Sequence, residues 1–417
     1  MTKPLPPLRA IETVLIEHEG QPHFCMHDPS GCVEEQLLLS PHAFLIASCL
    51  DGENDLAAVQ SIFAQQCGGA QVPQDQIMQV VEYLDQAGFL LTPRYLKRLA
   101  RMEAEFREAP LRPTAFADKS YPSDPALLRA FIDSFFVIDG GPGALGPRGG
   151  DDAPPLRGVI VPHIDFTRGG AAYAHGYKRL YEAGVPRTVF IFGVAHAGGS
   201  TPFIVTRKPF ATPFGVLDTD RDAVDHIAAA CGWDIFSNEL AHRNEHSVEF
   251  QAVMLAYLYG TAVRIVPILC APFSEDCDNT DPSGIEPVAT FLEACRAYAA
   301  PAERRVSVIA GADLAHVGKR FGDPFDIDDG VVEAVRLRDE EDLAHAAACA
   351  PQRWYGSVMQ DGNARKVCGL GCIYATLKML DDACVGRVLH YGHAPDPAGG
   401  IVSFASMAFA ESAKDGA

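Results

Sequence analysis

The sequence lacks an uninterrupted apolar run of roughly 18 residues, so we expect no membrane-spanning helix. The opening stretch MTKPLPPLRAIETV has no apolar segment after its basic residues, and we expect no signal peptide. Basic residues are also scarce, with 34 Lys and Arg against 54 Asp and Glu and a net charge of −20. A surface this acidic repels phosphate backbones and anionic lipids, so nucleic acid and membranes are excluded as expected partners.

The 12 cysteines lack the compact spacing of a secreted disulfide framework. Their scatter predicts a cytoplasmic protein in which most thiols are reduced and buried in the core. A few of them remain candidates for metal ligands.

The length of 417 residues and the hydrophobic fraction of 48% favour two domains, each with its own core. Two short β-type segments, Ile11–His18 and His23–Asp28, flank the turn-forming stretch EGQP. Helical patterns follow over Ala43–Leu50, Asp55–Cys67 and Pro73–Gln86. This order predicts a small α+β domain over residues 1–100.

The hairpin followed by three short helices resembles a winged-helix-like peptide-binding module of the PqqD type. The stretches LSPHAFLIASCLDG and VVEYLDQAGFLL carry this resemblance, which implies a peptide-binding role. A charged helix, roughly Arg94–Arg107, then leads into the proline-containing stretch EAPLRPTAF. We therefore predict a linker at residues 101–112 and a second domain at residues 113–417.

From residue 157 onward, apolar β-type runs alternate with helical stretches. The runs are RGVIVPHID, TVFIFGVAH, VRIVPILC and VSVIAGADLAH. This alternation predicts an α/β fold with a central, mainly buried sheet flanked by helices. In open sheets of this kind, ligands bind beyond the carboxyl ends of the strands.

Side chains suited to metal binding or acid–base chemistry follow these runs or open a helix. They are His163, His196, His246, Glu249, Asp313 and His316. One histidine in such a place is more often a structural residue. Its recurrence at corresponding positions of four elements indicates a common site.

A cysteine supplies a further candidate ligand. Cys368 lies in KVCGLGCIYATL, just before a helix that we predict to begin near Cys372. A helix N-terminus lowers the pKa of a nearby thiol and favours the metal-binding thiolate. Cys372 itself is expected to pack in the core.

From about residue 112 onward, the sequence resembles the Memo family, also called AmmeMemoRadiSam system protein B. The stretches that carry the resemblance are PTAFADKSYP, VPHIDFTRGGAAYAHGYKRL, FIFGVAHAGG, ATPFGVLDTD, NEHSVEFQAVML, RIVPILC, GADLAHVGKRFGD and VCGLGCIYA. That family is similar in fold to the class III extradiol dioxygenases, which use non-haem Fe(II). The resemblance implies that His163, His196 and Cys368 are metal ligands. It also places three candidate catalytic residues at the same pocket, namely His246, Asp313 and His316.

The sequence departs from the family pattern at residues 116–118, 164–166, 197–198 and 370–372. At the last of these, Leu-Gly-Cys replaces the usual Arg-His-Pro. The three ligand positions are unaffected, whereas the pocket wall changes. The substrate of a relative therefore does not carry over to this chain.

Two imidazoles and a thiolate form a ligand set suited to Fe, Cu or Zn rather than Mg or Ca. Three protein ligands leave coordination positions open, as catalytic sites do. We expect Fe(II), with Cu or Zn as alternatives. A neutral His316, oriented by Asp313, would act as a general base or as a hydrogen-bond donor to substrate.

These features favour a mononuclear non-haem iron oxidoreductase of the dioxygenase type, acting on a small molecule or a peptide. The family resemblance implies a radical-SAM partner. The alternative is a non-catalytic protein that binds a peptide or partner in a dioxygenase-derived pocket. A zinc hydrolase is a weaker hypothesis because the sequence has no HExxH motif.

Other potential ligands are expected to be structural or solvated. Cys25, His27 and Cys32 have loose metal-like spacing, but a fourth ligand is not evident. His175 and His242 are expected at the surface. His390 and His393 follow a late strand and could reach the rim of the pocket, but we expect them to be solvated loop residues.

Overall fold

The computed structural model describes residues 3–150, 152–273, 281–380 and 384–411. It divides the chain into two compact units, residues 1–108 and 109–417. Within the described ranges, no helix is both long and apolar enough to cross a membrane.

The smaller unit combines a three-stranded antiparallel sheet with helices, as the predicted α+β class requires. Its strands are β1 (Glu12–His18), β2 (Gln21–His27) and β3 (Leu37–Leu39). Its helices are α1 (Pro41–Ser48), α2 (Leu56–Gln66), α3 (Gln74–Ala87) and α4 (Pro93–Glu108). Helix α4 extends to the end of the unit, so residues 101–108 of the predicted linker are helical.

Local sequence signals account for these boundaries. Glu19 and Gly20 both adopt positive φ angles, 52° and 74°, which is the conformation that a tight β1–β2 hairpin requires. Side chains of Ser40 and Asp55 accept hydrogen bonds from backbone N–H groups in the first turns of α1 and α2. Gly88 ends α3 in the left-handed conformation.

A buried ion pair organises the smaller unit. Arg9 donates to the Asp28 carboxylate at 2.9 Å and to the carbonyl of Gly88 at 2.7 Å. Its guanidinium also lies 3.7 Å from the centre of the Tyr95 ring. These contacts connect the end of β2 to α3 and α4. The apolar core contains Met26, Ile46, Val59, Phe63, Ile77, Val81 and Leu84.

The larger unit alternates strands and helices along the chain. Its strands are β4 (Gly158–Val161), β5 (Thr188–Val194), β6 (Phe203–Val205), β7 (Phe210–Thr212), β8 (Gly215–Leu217), β9 (Arg264–Cys270), β10 (Val306–Gly311), β11 (His316–Gly318), β12 (Cys384–Asp396) and β13 (Gly400–Glu411). Its α-helices are α5 (Pro125–Val137), α6 (Phe166–Glu182), α7 (Arg221–Ala230), α8 (His246–Tyr259), α9 (Glu286–Ala299), α10 (Asp329–Ala347), α11 (Pro351–Met359) and α12 (Leu370–Met379).

Eight of these strands form a mixed sheet in the order β11-β13-β4-β10-β5-β9-β6, with β12 paired to β13, and β7 and β8 form a separate two-stranded sheet. The central strands β4, β10, β5 and β9 are parallel. Strands β6 and β13 add to them in the antiparallel sense. The predicted α/β fold with a central buried sheet is confirmed.

Both faces of this sheet are covered. Along β5, Val189 and Ile191 belong to one apolar cluster with residues of α5, α6 and α8. Phe190 and Phe192 belong to the opposite cluster, with residues of α7, α9 and α12. Burial on both faces explains why the strand sequences are continuously apolar rather than alternating.

The start of α8 is fixed by an internal ion pair. Arg112 and Glu249 are fully buried and hydrogen-bonded to each other. Arg112 also donates to the carbonyls of His242 at 2.8 Å and Glu245 at 2.9 Å. The Tyr121 hydroxyl donates to the Glu249 carboxylate as well. The expectation that Glu249 belongs to the polar site is therefore wrong, because its carboxylate binds Arg112 and Tyr121 instead.

We expect Arg112→Met to lower the free energy of unfolding of the larger unit by about 3–5 kcal/mol, because it leaves a buried carboxylate without its cation. Urea unfolding followed by tryptophan fluorescence measures this, since Trp233 and Trp354 both lie in the larger unit. The matched control is Arg336→Met, which removes only surface pairs with Glu333 and Glu340 and should leave the midpoint almost unchanged. Equal effects of the two substitutions would contradict this account.

Candidate metal centre

Three site residues occupy equivalent positions on adjacent strands. His163, His196 and Asp313 each stand two residues beyond the end of β4, β5 and β10 respectively. These strands are parallel neighbours with β10 in the middle. Their carboxyl ends meet at one edge of the sheet, so the three side chains converge there.

Cys368 approaches this edge from the start of α12, which begins at Leu370, two residues earlier than predicted. The backbone N–H of Gly369 donates to the carbonyl of Asp313 at 3.1 Å. A Cβ atom at residue 369 would lie only 2.5 Å from that carbonyl oxygen, so the approach requires glycine. The Cys368 Sγ consequently lies 3.3 Å from Nε2 of His163.

The candidate ligand atoms of His163, His196 and Cys368 lie within 4.8 Å of one another. The imidazole rings of the two histidines are 5.1 Å apart and nearly perpendicular. A second close group in the described chain consists of His196, Glu245 and His246. The structure thus brings together the three residues that the sequence analysis singled out as ligands.

Both histidines have their Nδ1 atoms engaged outside the cluster. His163 donates from Nδ1 to the carbonyl of Gly311 at 2.8 Å. His196 donates from Nδ1 to both carboxylate oxygens of Glu245 at 3.0 Å. These bonds orient each ring and leave Nε2 for a ligand, which is the arrangement of metal-binding imidazoles.

Glu245 is a site residue that the sequence analysis missed. It is buried and caps α8 by accepting from the Ser247 N–H at 2.9 Å. It also accepts from the backbone N–H of His196 at 3.1 Å. The available signal was an acidic residue directly before His246 at a predicted helix start, where capping residues are acidic or polar.

The protonation states follow from burial and neighbours. Burial and the nearby His196 lower the pKa of His163 to about 3, so that its imidazole is neutral. Burial also opposes protonation of His196, yet the Glu245 carboxylate raises the pKa of His196 well above its usual range. The predicted lowering of the Cys368 pKa is wrong. Burial raises the pKa of this thiol to about 11 and outweighs its hydrogen bond with His196.

Asp313 holds the backbone next to His163. Its carboxylate accepts from the N–H groups of His163 at 3.0 Å and Ile164 at 3.2 Å. Asp313 was expected to orient the ring of His316. Instead, Nδ1 of His316 donates to the carbonyl of Leu314 at 3.1 Å. Burial lowers the pKa of His316 and raises that of Asp313.

His246 lies against the two candidate histidine ligands. Its ring stacks on His196 with centroids 4.8 Å apart, and it is 5.2 Å from the His163 ring. The side chains of His196 and His246 are 34% and 29% exposed, against 2% for His163. Solvent and small molecules therefore reach the cluster from the side of His196 and His246.

Two other expectations concern residues away from this cluster. Cys25 donates to Gln36 at 3.5 Å and Cys32 contacts Tyr95, and neither belongs to a close ligand group within the described ranges. His242 was expected at the surface, but it is buried and its Nε2 donates to the carbonyl of Ile204 at 3.0 Å. His242 is buried because it lies in a 3₁₀ helix whose backbone binds the buried Arg112.

Comparison with known proteins identifies the family of the larger unit. A sequence model of Memo-like proteins matches residues 112–408, most of the larger unit. The chain belongs to the Memo family. The matched region begins just after the boundary between the two units.

Memo relatives occur in bacteria and archaea. A MEMO1 family protein of Aquifex aeolicus is 26% identical over 389 residues, which cover 93% of this chain and 96% of that protein. One from Methanopyrus kandleri is 31% identical over 309 residues, covering 72% of this chain and 98% of the relative. The alignment with the Aquifex protein is long enough to include most of the smaller unit.

The buried His242 should make the stability of the larger unit depend on pH. Burial lowers the pKa of His242 to about 4. In the unfolded chain its pKa is about 6.5, so as pH falls the unfolded state takes up the proton first and stability is lost between these values. We expect the free energy of unfolding to fall by about 2 kcal/mol more in the wild type than in His242→Gln between pH 7 and pH 5.

Urea unfolding at the two pH values, followed by tryptophan fluorescence, measures this difference. Buried histidines elsewhere are common to both proteins, so the comparison isolates residue 242. An identical pH dependence in the variant would show that His242 does not titrate differently on folding.

Proposed function

We propose that this protein is a mononuclear non-haem metal oxidoreductase that binds Fe(II) through His163, His196 and Cys368. The observation that carries the proposal is the convergence of these three donors, with both imidazoles already oriented through Nδ1.

The residues present fit such an ion. Metal bonds of ~2.0–2.3 Å to nitrogen and sulfur require ligand atoms roughly 3–4.5 Å apart. The 3.3 Å between the Cys368 Sγ and the His163 Nε2 lies in this range. Mixed imidazole and thiolate donors suit Fe, Cu or Zn, and the family resemblance favours Fe among these. Bound there, iron would supply one-electron redox chemistry and a Lewis acid.

His316 is the residue to which this proposal assigns the role of general base. Its Nδ1 donates to the Leu314 carbonyl, and the ring also hydrogen-bonds to the backbone of Lys366. Burial lowers its pKa, so the ring is neutral at pH 7. The backbone N–H of His316 donates to the carbonyl of Arg365 at 2.7 Å, which fixes the position of the residue. A neutral imidazole is the state that a general base requires.

Asp313 and His246 have supporting parts in this proposal. Asp313 positions His163 by accepting a hydrogen bond from the backbone N–H of His163, and it is itself buried beside the cluster. His246 packs on the exposed side of His196 and forms the wall that a substrate would contact. Burial lowers the pKa of His246 to about 3, so this wall is uncharged at neutral pH.

The substrate in this proposal is a small molecule or a peptide in a cytoplasmic pathway with a radical-SAM partner. The family resemblance supports the radical-SAM association, and the PqqD-like pattern of the smaller unit supports a peptide. That unit contains a cavity of about 600 Å³ beside β3, lined by Leu39, Ile46, Phe63, Val72 and Tyr83 among others. A cavity of this size accepts a few side chains of a peptide.

Metal content is the first test. We expect about one iron per chain in protein purified without oxygen, and a sharp loss in both Cys368→Ser and His196→Ala, because each removes one of three ligands. His316→Ala is the matched control, since it should keep the metal while losing O₂-dependent turnover. Mass spectrometry of the metal and far-UV circular dichroism of each variant give the two readouts.

Absence of metal from the wild type would sink the proposal. The pocket would then be a binding surface, and the alternative of a non-catalytic peptide-binding protein would take its place. Retention of full metal by folded Cys368→Ser would remove this residue from the ligand set.

Glu245 provides a second test. Glu245→Gln keeps the size of the side chain but removes the charge that orients His196 through its Nδ1–H. We expect the affinity for the metal to fall about 10–100-fold, as for other second-layer carboxylates. Competition with a metal chelator measures the affinity. An unchanged affinity would mean that the Glu245 carboxylate only caps α8.

A further inference from the structure

A cavity of about 500 Å³ lies beside the candidate metal ligands in the larger unit. Its wall includes His196 and Cys368, together with residues from the end of β9 and from the segment between α11 and α12. A cavity of this volume holds a small organic molecule. A molecule bound there would touch two of the three proposed ligands.

The lining of this cavity is mainly apolar and aromatic. Its apolar members include Phe273, Tyr355, Met359, Val367 and Leu370. The rings of Phe273 and Tyr355 are 6.5 Å apart and inclined by 25°. Such walls bind a flat apolar group by dispersion and by exclusion of water.

The charge of the lining is opposite to that of the chain. Among the described lining residues no Asp or Glu occurs, although the chain carries 54 of them. The lining also includes Lys366, whose Nζ donates to Asp323 at 2.7 Å and to the carbonyl of Ala364 at 3.3 Å. An ammonium group has three N–H donors, so one remains for a ligand.

Lys366 is held in place beside the proposed metal. It lies two residues before Cys368 and has a φ of 53°, a conformation that costs energy for a residue with a side chain. Asp323, its partner, is itself fixed by the Gly318 N–H at 2.8 Å. The ammonium group is therefore positioned before any ligand arrives.

Gly371 keeps the cavity open. A Cβ atom at this position would lie 3.3 Å from the ring of Phe273 and 3.6 Å from the Cβ of Cys270. A longer side chain would project among these lining residues and fill the space. Leu370 and Gly371 belong to the stretch in which this sequence departs from the family pattern.

We propose that this cavity binds an aromatic carboxylate, with the ring among Phe273, Tyr355 and Met359 and the carboxylate on Lys366. The proposal rests on the proposed function and names a substrate class for it, because the cavity shares His196 and Cys368 with the proposed metal site. The chemistry is shared by a free aromatic acid and by the C-terminal aromatic residue of a peptide.

The test is calorimetric titration of the full-length protein with three molecules of matched shape, 3-phenylpropionate, 3-phenylpropanol and 3-phenylpropylamine. We expect the acid to bind about tenfold more tightly than the alcohol, and the amine to bind most weakly, because a hydrogen bond to a charged group contributes this much. Lys366→Met should abolish the preference for the acid, whereas Lys366→Arg should retain it. Lys319→Met, at an exposed lysine paired with Asp326, is the control and should bind as the wild type does.

Gly371→Leu should weaken the binding of all three molecules about tenfold or more, because the leucine side chain would occupy the cavity. Equal binding of acid and amine by the wild type, or an unchanged preference in folded Lys366→Met, would overturn the proposal. The peptide glycyl-glycyl-phenylalanine and its C-terminal amide identify the source of the carboxylate. Tighter binding of the free-acid peptide than of 3-phenylpropionate indicates a peptide terminus, and the reverse indicates a small aromatic acid.

Metal analysis of the same samples separates this proposal from the proposed function. Selective binding of the acid by protein without metal would support the cavity and refute the metal enzyme. Protein that binds metal but shows no preference among the three molecules would support the metal enzyme and refute the cavity proposal.

Discussion

The arrangement of the site depends on the buried ion pair between Arg112 and Glu249. It anchors the first turn of α8, and Arg112 also binds the carbonyl of Glu245. Glu245 in turn fixes both the ring and the backbone of His196. Further along the same helix, Gln251 donates to the carbonyl of Pro162 at 3.0 Å, next to His163. One helix thus positions two histidines that belong to different strands.

The sequence predicted the parts of the site that follow strand ends. His163, His196 and Asp313 come after strongly apolar runs, and parallel strands place such residues at a common edge. Cys368 was found through its glycine-rich loop and the family resemblance, because nothing in its spacing links it to the strands. The elements of the smaller unit were predictable from caps and glycines, and the charged helical pattern before the prolines of EAPLRPTAF predicted α4, which ends at Glu108.

Burial explains what the sequence could not show. Almost every residue of α8 is buried, so its polar members form no amphipathic pattern that separates anchors from site residues. Glu249 and Glu245 look alike in the sequence, yet the first binds Arg112 and the second binds His196. The Cys368 thiol illustrates the same limit, because the helix start suggested a low pKa and burial reverses it. Such outcomes depend on three-dimensional packing rather than on local composition.

The Glu245 carboxylate accepts hydrogen bonds from three groups, and these bonds connect the site to the fold. The same carboxylate caps α8, holds the His196 backbone and orients its ring. A ligand that binds Nε2 of His196 therefore also favours the ordered first turn of a helix at the centre of the unit. By mass action, such a ligand adds to the stability of the whole unit in proportion to the logarithm of its concentration. The lifetime of this protein in a cell would then track the supply of that ligand.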